Sequence, residues 1–400
     1  MTAAATSSLR PPAAWPVLAL GFRPFYLAGA AAALVLLPLW LAVFTGWLAL
    51  PLSDPLAWHA HEMLFGFGAA IIAGFLLTAV RNWTGAETPR HLPLAGLVAL
   101  WLAGRLAPFL LPGWPAALID LAFLPVLALT LARPILAMQV RKASQRPWLP
   151  LVVLSLLTGA NLLQHLGSLD AAENLLAAGR ALGFGTVAIL IAVIAARIVP
   201  SFTMSGAGIF VPAAPQRDRI ALLVLILAVG VNVAATLLPL PAALLAGVNA
   251  AAALLHVARL QQWRSWQALR VPLLAILHVA YLWLPVAFAL RAAAALVDAV
   301  PPVLADHALA IGAMTGLMLG MMTRSSLGHT GRPLKAGAVE IAIYAAIMLA
   351  ALLRLCAGLH ADWTLPLLGA AGLAWETAFG LFLLRYAPML LRPRADGKPG

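Results

Sequence analysis

The chain has 400 residues, of which 63% are hydrophobic and only 10% are charged, and its mean hydropathy is +0.97. Soluble domains carry about 25% charged residues, so this composition excludes a soluble fold and predicts an integral membrane protein. The apolar stretches are continuous and lack the alternation of barrel strands, which predicts spanning helices. The net charge of +12 does not indicate nucleic-acid binding, because no basic, aromatic-interleaved domain carries it.

Cys356 is the only cysteine. A single cysteine excludes an internal disulfide, a cysteine-ligated iron–sulfur cluster and covalent haem attachment through C-x-x-C-H. Any haem would therefore be b-type and held without a covalent bond. At the N-terminus, Arg10 is followed by PPAAWP and a short apolar stretch without a cleavage-type end, so no signal peptide is expected.

Proline, glycine and charged residues divide the chain into twelve predicted membrane spans, at roughly 20 residues per span. The predicted spans cover about residues 24–45, 56–80, 93–111, 115–138, 148–168, 173–197, 219–238, 241–259, 271–295, 304–323, 336–356 and 364–385. The sequence thus predicts an all-α, polytopic membrane protein. One transmembrane domain covers residues 23–386, between cytoplasmic tails at 1–22 and 387–400.

Basic residues lie mostly in the two tails and in the loops after even-numbered spans, as Arg141 and Arg217 do. The opposite loops carry acidic residues, such as Asp54, Asp170 and Asp298. The positive-inside rule then places both termini in the cytoplasm. We call the side where span 2 begins the outer end of the protein and the opposite side the inner end.

Spans 2, 6 and 10 share a coarse pattern, in which glycine in the outer half is followed by an inner-end arginine and then by threonine and glycine. The arginines are Arg81, Arg197 and Arg324. Recurrence every four helices predicts three four-helix units about a pseudo-threefold axis. The alternative is that glycine is common in membrane helices and that topology alone explains the arginines.

Several histidines lie in or beside the predicted spans, where polar side chains are costly and are functional candidates by default. His59 and His61 open span 2 in WHAHEMLFGF, next to Glu62, and His307 opens span 10 at the same outer depth. Residues two apart on a regular helix diverge by about 200°, so one metal can take both His59 and His61 only if the helix start is irregular. Because imidazole ligates haem iron and copper, we predict haem or metal ligation here.

Three further histidines extend this set of candidates. His165 lies near the outer end of span 5, His278 lies deeper in span 9, and His360 lies in an outer loop. The alternative for each histidine is a core imidazole that bonds a neighbouring helix.

Four arginines lie in the outer halves of spans, away from the basic inner loops: Arg105, Arg180, Arg291 and Arg354. A buried guanidinium needs an anionic partner, and few acidic residues lie at this depth. Haem propionates would serve as partners beside the outer histidines, which makes Arg105 and Arg180 cofactor-binding candidates. The alternative is that the side chains extend to the membrane interface.

The inner end also gathers basic groups. His256, Arg259 and His329 fall at the level of the arginines that end spans 2, 6 and 10. They predict either an anion-binding vestibule or, as the favoured interpretation, basic capping of helix C-termini.

Six runs of sequence resemble the NnrS family: GFRPFYL, WHAHEMLFGF with AGFLLTAVRNWTG, TGANLLQHLG, LLHVARLQQW, LLAILHVAYLW and MLGMMTRSSLGHTGR. The resemblance covers about residues 17–390 and departs at Arg81, where the family often has proline. It implies a bacterial inner-membrane protein with twelve helices that carries haem and copper. It also implies a role in the response to nitric oxide and nitrosative stress, often alongside denitrification. It implies neither a reaction nor a ligand set.

The four-helix period is also similar to that of haem–copper oxidases and nitric oxide reductases, whose low-spin haem takes histidines from the second and tenth helices. By this analogy, which is one of fold alone, His59 or His61 would pair with His307 on a haem. Copper would use the other histidine of the pair with His165. The oxidase copper ligands of helices six and seven have no counterpart here.

The first hypothesis is a haem–copper protein that binds nitric oxide or handles it by redox chemistry with a redox partner. Two other classes of function remain open. One is a transporter or exporter of a small anionic or metal-nitrosyl species, although the spans lack the paired broken helices of inverted repeats. The other is a sensor or assembly factor without turnover. The sequence alone does not decide whether the protein is an enzyme.

Overall fold

The computed structural model describes residues 15–52, 54–137, 148–170, 172–359 and 361–398; Arg10, Arg141 and His360 lie outside them. Within this part of the chain twelve long helices form, and no strand does. In chain order they are α1 (Phe22–Phe44), α2 (Pro55–Thr84), α3 (His91–Leu110), α4 (Trp114–Leu136), α5 (Leu149–Leu169), α6 (Glu173–Ala207), α7 (Pro215–Ala234), α8 (Ala242–Gln262), α9 (Pro272–Ala294), α10 (Val303–His329), α11 (Ala338–Ala357) and α12 (Thr364–Leu391).

Eleven of the helices in the described ranges are long and apolar enough to cross a membrane. The remaining one is α7, which begins with the charged residues Arg217, Asp218 and Arg219 before its apolar run. The sequence predicted about twelve membrane spans, and eleven of the described helices are long and apolar enough to be spans. The protein is an all-helical, polytopic membrane protein.

The start of α2 is fixed by an N-terminal cap. One side-chain oxygen of Asp54 accepts hydrogen bonds from the backbone N–H groups of Leu56 and Ala57, at 2.9 and 3.0 Å. Pro55 occupies the first helical position, where its missing N–H costs nothing. The cap sets the helical register of the first turns, and with it the directions of the two histidines that follow.

The most buried helices of the bundle are α2, α6, α9 and α10, and we call α2, α6 and α10 the central helices. In its most apolar window α2 is 89% buried, α9 and α10 are each 67% buried and α6 is 61% buried, against 28% for α1. Other helices pack around them in chain order, with α12 returning to α1. The three four-helix units and a relation to the oxidases both stay predictions.

Two of the central helices contain a π-helical segment directly after their outer histidines. In α2 the segment is Glu62–Gly68, after His61, and in α10 it is Ala308–Thr315, after His307. π-helical turns are rare and occur mostly at functional sites. The helix starts are therefore irregular on the inner side of the histidines, while His59 and His61 themselves lie on an α-helical turn.

The C-terminal segment after α12 folds back onto the inner end of the bundle. The Ala395 N–H donates to the Thr330 carbonyl at 2.9 Å, and the Arg394 guanidinium donates to the His329 carbonyl at 3.1 Å. Arg23, buried in α1, donates to the carbonyl of Arg392 at 2.7 Å. The segment is thus held by α1 and α10.

We expect Asp396→Asn to loosen this segment, because Asp396 accepts two hydrogen bonds from Arg394, at 2.6 and 2.8 Å. The Arg394 guanidinium lowers the pKa of Asp396 below its usual range. A lowered pKa gives a contribution that is present above the ordinary value and is lost only as the pH falls through the lowered one. Hydrogen-exchange protection of the Ala395 amide should therefore stay constant from neutral pH to about pH 4 and be weaker in Asp396→Asn. Loss of protection in the unmodified protein within that interval would contradict this assignment.

Candidate functional sites

His59 and His61 point to different sides of α2. The His59 side chain lines a cavity between α1, α2, α6, α10, α11 and α12. The His61 side chain faces α4 and α5, where it meets Asp120 and His165. The divergence expected from helical geometry is confirmed, and the structure offers the two histidines to two sites rather than to one.

The first site is the His59–His307 cavity, whose volume is about 270 Å³. It places His59 of α2 opposite helix α10, which contributes His307, and two arginines line it as well, Arg180 and Arg354. One acidic residue, Asp306, also lines the cavity and is paired with Arg291. The rest of the lining is largely apolar and includes Leu37, Trp40, Met63, Phe67, Phe184, Ile311, Met314 and Trp375.

The two imidazoles are held in different ways. His59 stacks on Trp40, with ring centroids 4.1 Å apart. Its Nδ1 is buried and has no hydrogen-bond partner in the part of the chain that the structure describes. His307 Nδ1 lies 2.9 Å from the Val303 carbonyl oxygen, so the Nδ1–H group donates a hydrogen bond to that oxygen. The Nε2 atom then keeps a lone pair that can bind a metal. Orienting an imidazole by a hydrogen bond from its other nitrogen is usual for metal-ligating histidines. An unpartnered buried nitrogen, as in His59, is costly unless a ligand takes it.

Arg180 and Arg354 bring positive charge to the cavity. Among the described residues, neither forms an ion pair with a carboxylate, whereas Arg291 pairs with Asp306. Partly buried positive charges without anionic partners are unfavourable in a membrane. The cavity therefore suits a ligand with an apolar body and anionic groups.

The second site is the His61–Asp120–His165 cluster, which joins α2, α4 and α5. Asp120 Oδ2 lies 3.2 Å from His61 Nε2 and 2.8 Å from His165 Nε2. One ligand atom from each of the three side chains lies within 4.8 Å of the others. Asn161 of α5 donates to the same Asp120 oxygen at 2.8 Å, and its own oxygen lies 2.8 Å from His61 Nε2.

Arg105 and Glu62 make direct contacts with residues of this cluster. Arg105 donates to Glu62 Oε1 at 2.8 Å and contacts the second oxygen of Asp120 directly. His61 Nδ1 lies 3.4 Å from Glu62 Oε1. The interpretation of Arg105 as a propionate partner was wrong in its detail: the side chain is taken by two protein carboxylates and does not line the His59–His307 cavity.

Two glycines make room for the supporting carboxylates. A Cβ at Gly66 would lie 2.6 Å from Glu62 Oε2, and a Cβ at Gly104 would lie 3.1 Å from the Asp120 backbone and side chain. Glu62 is 1% exposed and Asp120 is 4% exposed, so neither can move to water. The close packing holds both carboxylates in place.

The cluster is reached from the outer end of the bundle. A cavity of about 330 Å³ has His61, Glu62, Asp120 and His165 in its wall. Its wall also includes the loops that join the helices there, at Pro51, Leu52, Pro112 and Gly113. An ion can approach the three donors through this cavity without crossing the bundle.

The remaining predicted residues lie elsewhere. His278 Nε2 lies 2.9 Å from the Thr203 hydroxyl and its Nδ1 lies 2.8 Å from the Ser265 hydroxyl, so both ring nitrogens are taken and the residue lines neither site. His256 bonds Tyr281 at 2.6 Å in a buried network. The structure therefore does not bring these two histidines to the outer sites.

At the inner end, the basic residues make individual contacts. Arg259 donates to Asp218 at 2.9 Å, Arg324 lies 3.9 Å over the Phe202 ring, and Arg81 pairs with Glu87 at 3.3 Å. Arg197 is exposed, and His329 packs beside Phe22. None of these contacts tests the predicted anion vestibule.

We expect Arg105→Met to destabilise the protein by about 3–5 kcal/mol, because it leaves two buried carboxylates without their counter-charge. Arg291→Met is the matched control: its partner Asp306 is 39% exposed at the side chain, and exposed pairs contribute at most about 1 kcal/mol. Unfolding in mixed micelles with increasing dodecyl sulfate measures both. Equal losses in the two variants would contradict the buried role of Arg105.

Comparison with known protein families identifies the family of the chain. No curated protein is similar to the chain, but the family model described as NnrS protein matches residues 16–394. The match covers nearly the whole chain and includes both histidine sites, as the resemblance of the sequence motifs predicted. The chain therefore belongs to the NnrS family, and this membership indicates a membrane protein of the nitric oxide response.

Proposed function

We propose that the protein is a haem- and copper-containing protein of the bacterial inner membrane that binds nitric oxide or a derived species, or handles it by redox chemistry. The observation that carries the proposal is the separation of four outer histidines into two adjacent sites, His59 with His307 and His61 with His165. Both termini would lie in the cytoplasm, as the distribution of basic residues predicts.

The donor set of the His59–His307 cavity fits a b-type haem. His59 and His307 would hold its iron, and Arg180 and Arg354 would hold the propionates. Ligation would also give a role to the unpartnered imidazole nitrogen of His59. The largely apolar lining would limit the access of water, which affects the redox potential of a bound metal. Haem would supply a one-electron redox centre, and its iron would bind nitric oxide in place of one of the two histidines.

The His61–Asp120–His165 cluster fits a first-row metal ion with two nitrogen ligands and one oxygen ligand. Metal–ligand distances of about 2.0–2.2 Å require donors that lie close together, and the cluster places them 2.8 and 3.2 Å apart. These donors alone also suit zinc and iron(II); membership of the NnrS family favours copper. Glu62 would accept from His61 Nδ1, and so orient the imidazole towards the ion.

The two sites share one helical turn. His59 and His61 are two residues apart on α2, which is about 3 Å along the helix axis. The same short stretch of α2 would therefore hold a ligand of each cofactor. This proximity supports a joint redox role better than two unrelated binding functions.

The proposal is tested by the visible spectrum and the metal content of the purified protein in detergent. We expect a reduced-minus-oxidised haem spectrum, near-equal amounts of haem and copper per chain, and a spectral change when nitric oxide is added. A well-folded protein that is colourless and free of copper would overturn the proposal and favour the transporter.

A further inference from the structure

A second cavity lies inward of the His59–His307 cavity, between α1 and the three central helices. Its volume is about 90 Å³. We call it the central apolar cavity and define it by Ile71, Phe75, Ile191, Ile194, Met314 and Met321. Its other walls are aliphatic or methionine side chains, apart from Tyr26.

The central apolar cavity continues the first one. Met314 lines both. On α2, Phe67 lines the first cavity and Ile71 lines the second. On α6, Phe184 lines the first and Val187 lines the second. About one helical turn therefore separates the two linings on each helix. The shared wall is a methionine, the most adaptable of the apolar side chains, and such a side chain can move to let a small molecule pass.

The two ends of the central apolar cavity differ in exposure. Towards the His59–His307 cavity, Ile71 is 3% exposed and Met314 is 2% exposed. At the other end Ile194, Ile198 and Met321 are only partly buried. The distance from Met314 to Met321 is about 10 Å along α10. The cavity therefore leads from a partly exposed side of the bundle at membrane depth to the buried wall of the His59–His307 cavity.

The lining selects its occupant by polarity. The cavity has no charged side chain, and the Tyr26 hydroxyl already accepts a hydrogen bond from Ser325, at 3.4 Å. An ion would lose its hydration there without compensation. One water molecule needs about 10–15 Å³ of such space, so the volume is ample for a diatomic molecule, and apolar cavities stay dry and bind apolar atoms.

We propose that the central apolar cavity binds a small, uncharged, apolar molecule and leads it from the bilayer to the His59–His307 cavity. Such molecules concentrate in hydrocarbon, which favours approach through the membrane over approach through water. The identity of the molecule, nitric oxide, rests on the proposed function. The existence of the binding site does not.

Xenon binding tests the site in the purified protein, whatever cofactors it carries. Crystals of the protein under xenon pressure should show anomalous density between α2, α6 and α10. Ala195, 3% exposed, lines the cavity, so Ala195→Phe should fill it and abolish the xenon peak, as should Ile194→Trp. Ala196→Phe is the matched control, because Ala196 is the next residue and lies outside the lining. Absence of xenon from the unmodified protein, or equal occupancy in Ala195→Phe, overturns the proposal.

Nitric oxide association tests the route. The rate is measured in reduced protein at low nitric oxide concentrations, where it rises in proportion to concentration, so that departure of a histidine from the iron does not limit it. Under these conditions we expect several-fold slower binding in Ala195→Phe than in Ala196→Phe, with unchanged haem content. Equal rates overturn the route to the histidines. A protein without haem would remove the proposed function instead, and the xenon experiment would still decide whether the cavity binds a small apolar molecule.

Discussion

Replacement of His307 by alanine is expected to remove the haem spectrum and leave copper in place. His307 contributes an imidazole oriented by the Val303 carbonyl to the cavity, and no other described histidine of α10 lines it. Losing even an outer partner of a metal ligand costs about 10–100-fold in affinity, so losing the ligand itself should cost at least as much. The haem content per chain, measured as the pyridine haemochrome, checks this result.

His278→Ala is the control for this variant. It removes a histidine that also lies in a membrane-spanning helix, but His278 bonds Thr203 and Ser265 instead of facing the cavity. We expect it to keep both haem and copper. Full haem content in His307→Ala, or its loss in His278→Ala, would show that the haem-binding histidines are wrongly assigned.

Replacement of His165 by alanine should have the converse effect, lowering copper affinity by at least about 10–100-fold while the haem spectrum persists. His165 Nε2 is one of three donors in the His61–Asp120–His165 cluster, and its loss leaves two. Competition with a chelator of known copper affinity measures the change.

Gln164→Ala provides the matched control at the neighbouring position. Gln164 is 2% exposed, and both atoms of its amide lack hydrogen-bond partners among the described residues. It lines the cavity that leads to the cluster without supplying a donor, so copper affinity should change little. Unaltered copper binding in His165→Ala would contradict the cluster as the copper site.

The helices could be predicted from the sequence because each apolar run is long and is bounded by proline, glycine or charge. The divergence of His59 and His61 followed from helical rotation alone. Whether α7 crosses the membrane was harder to predict. Its first turn carries the charged residues 217–219, so the apolar part of the helix is shorter than a full span.

Partners across helices could not be read from the sequence. Asp120 meets His61 and His165 only because α2, α4 and α5 pack together, and nothing in their spacing along the chain fixes that contact. One signal was present, since an acidic residue inside a span is costly and needs a partner. The pairing of Arg105 with Glu62 and Asp120 was missed for the same reason.

The transport alternative finds little support in the helices. The three central helices, α2, α6 and α10, are continuous, at 30, 35 and 27 residues. Transporters built from inverted repeats have discontinuous helices in matching places. In the part of the chain that the structure describes, the irregular segments are π-helical turns beside histidines, which favours a cofactor site over a moving gate.

The most direct test compares His59→Ala with His61→Ala, because the account assigns these near neighbours on α2 to different sites. Haem and copper are quantified per chain in both variants. We predict that His59→Ala loses haem and keeps copper, and that His61→Ala loses copper and keeps haem. Loss of the same cofactor in both variants would contradict the two-site assignment.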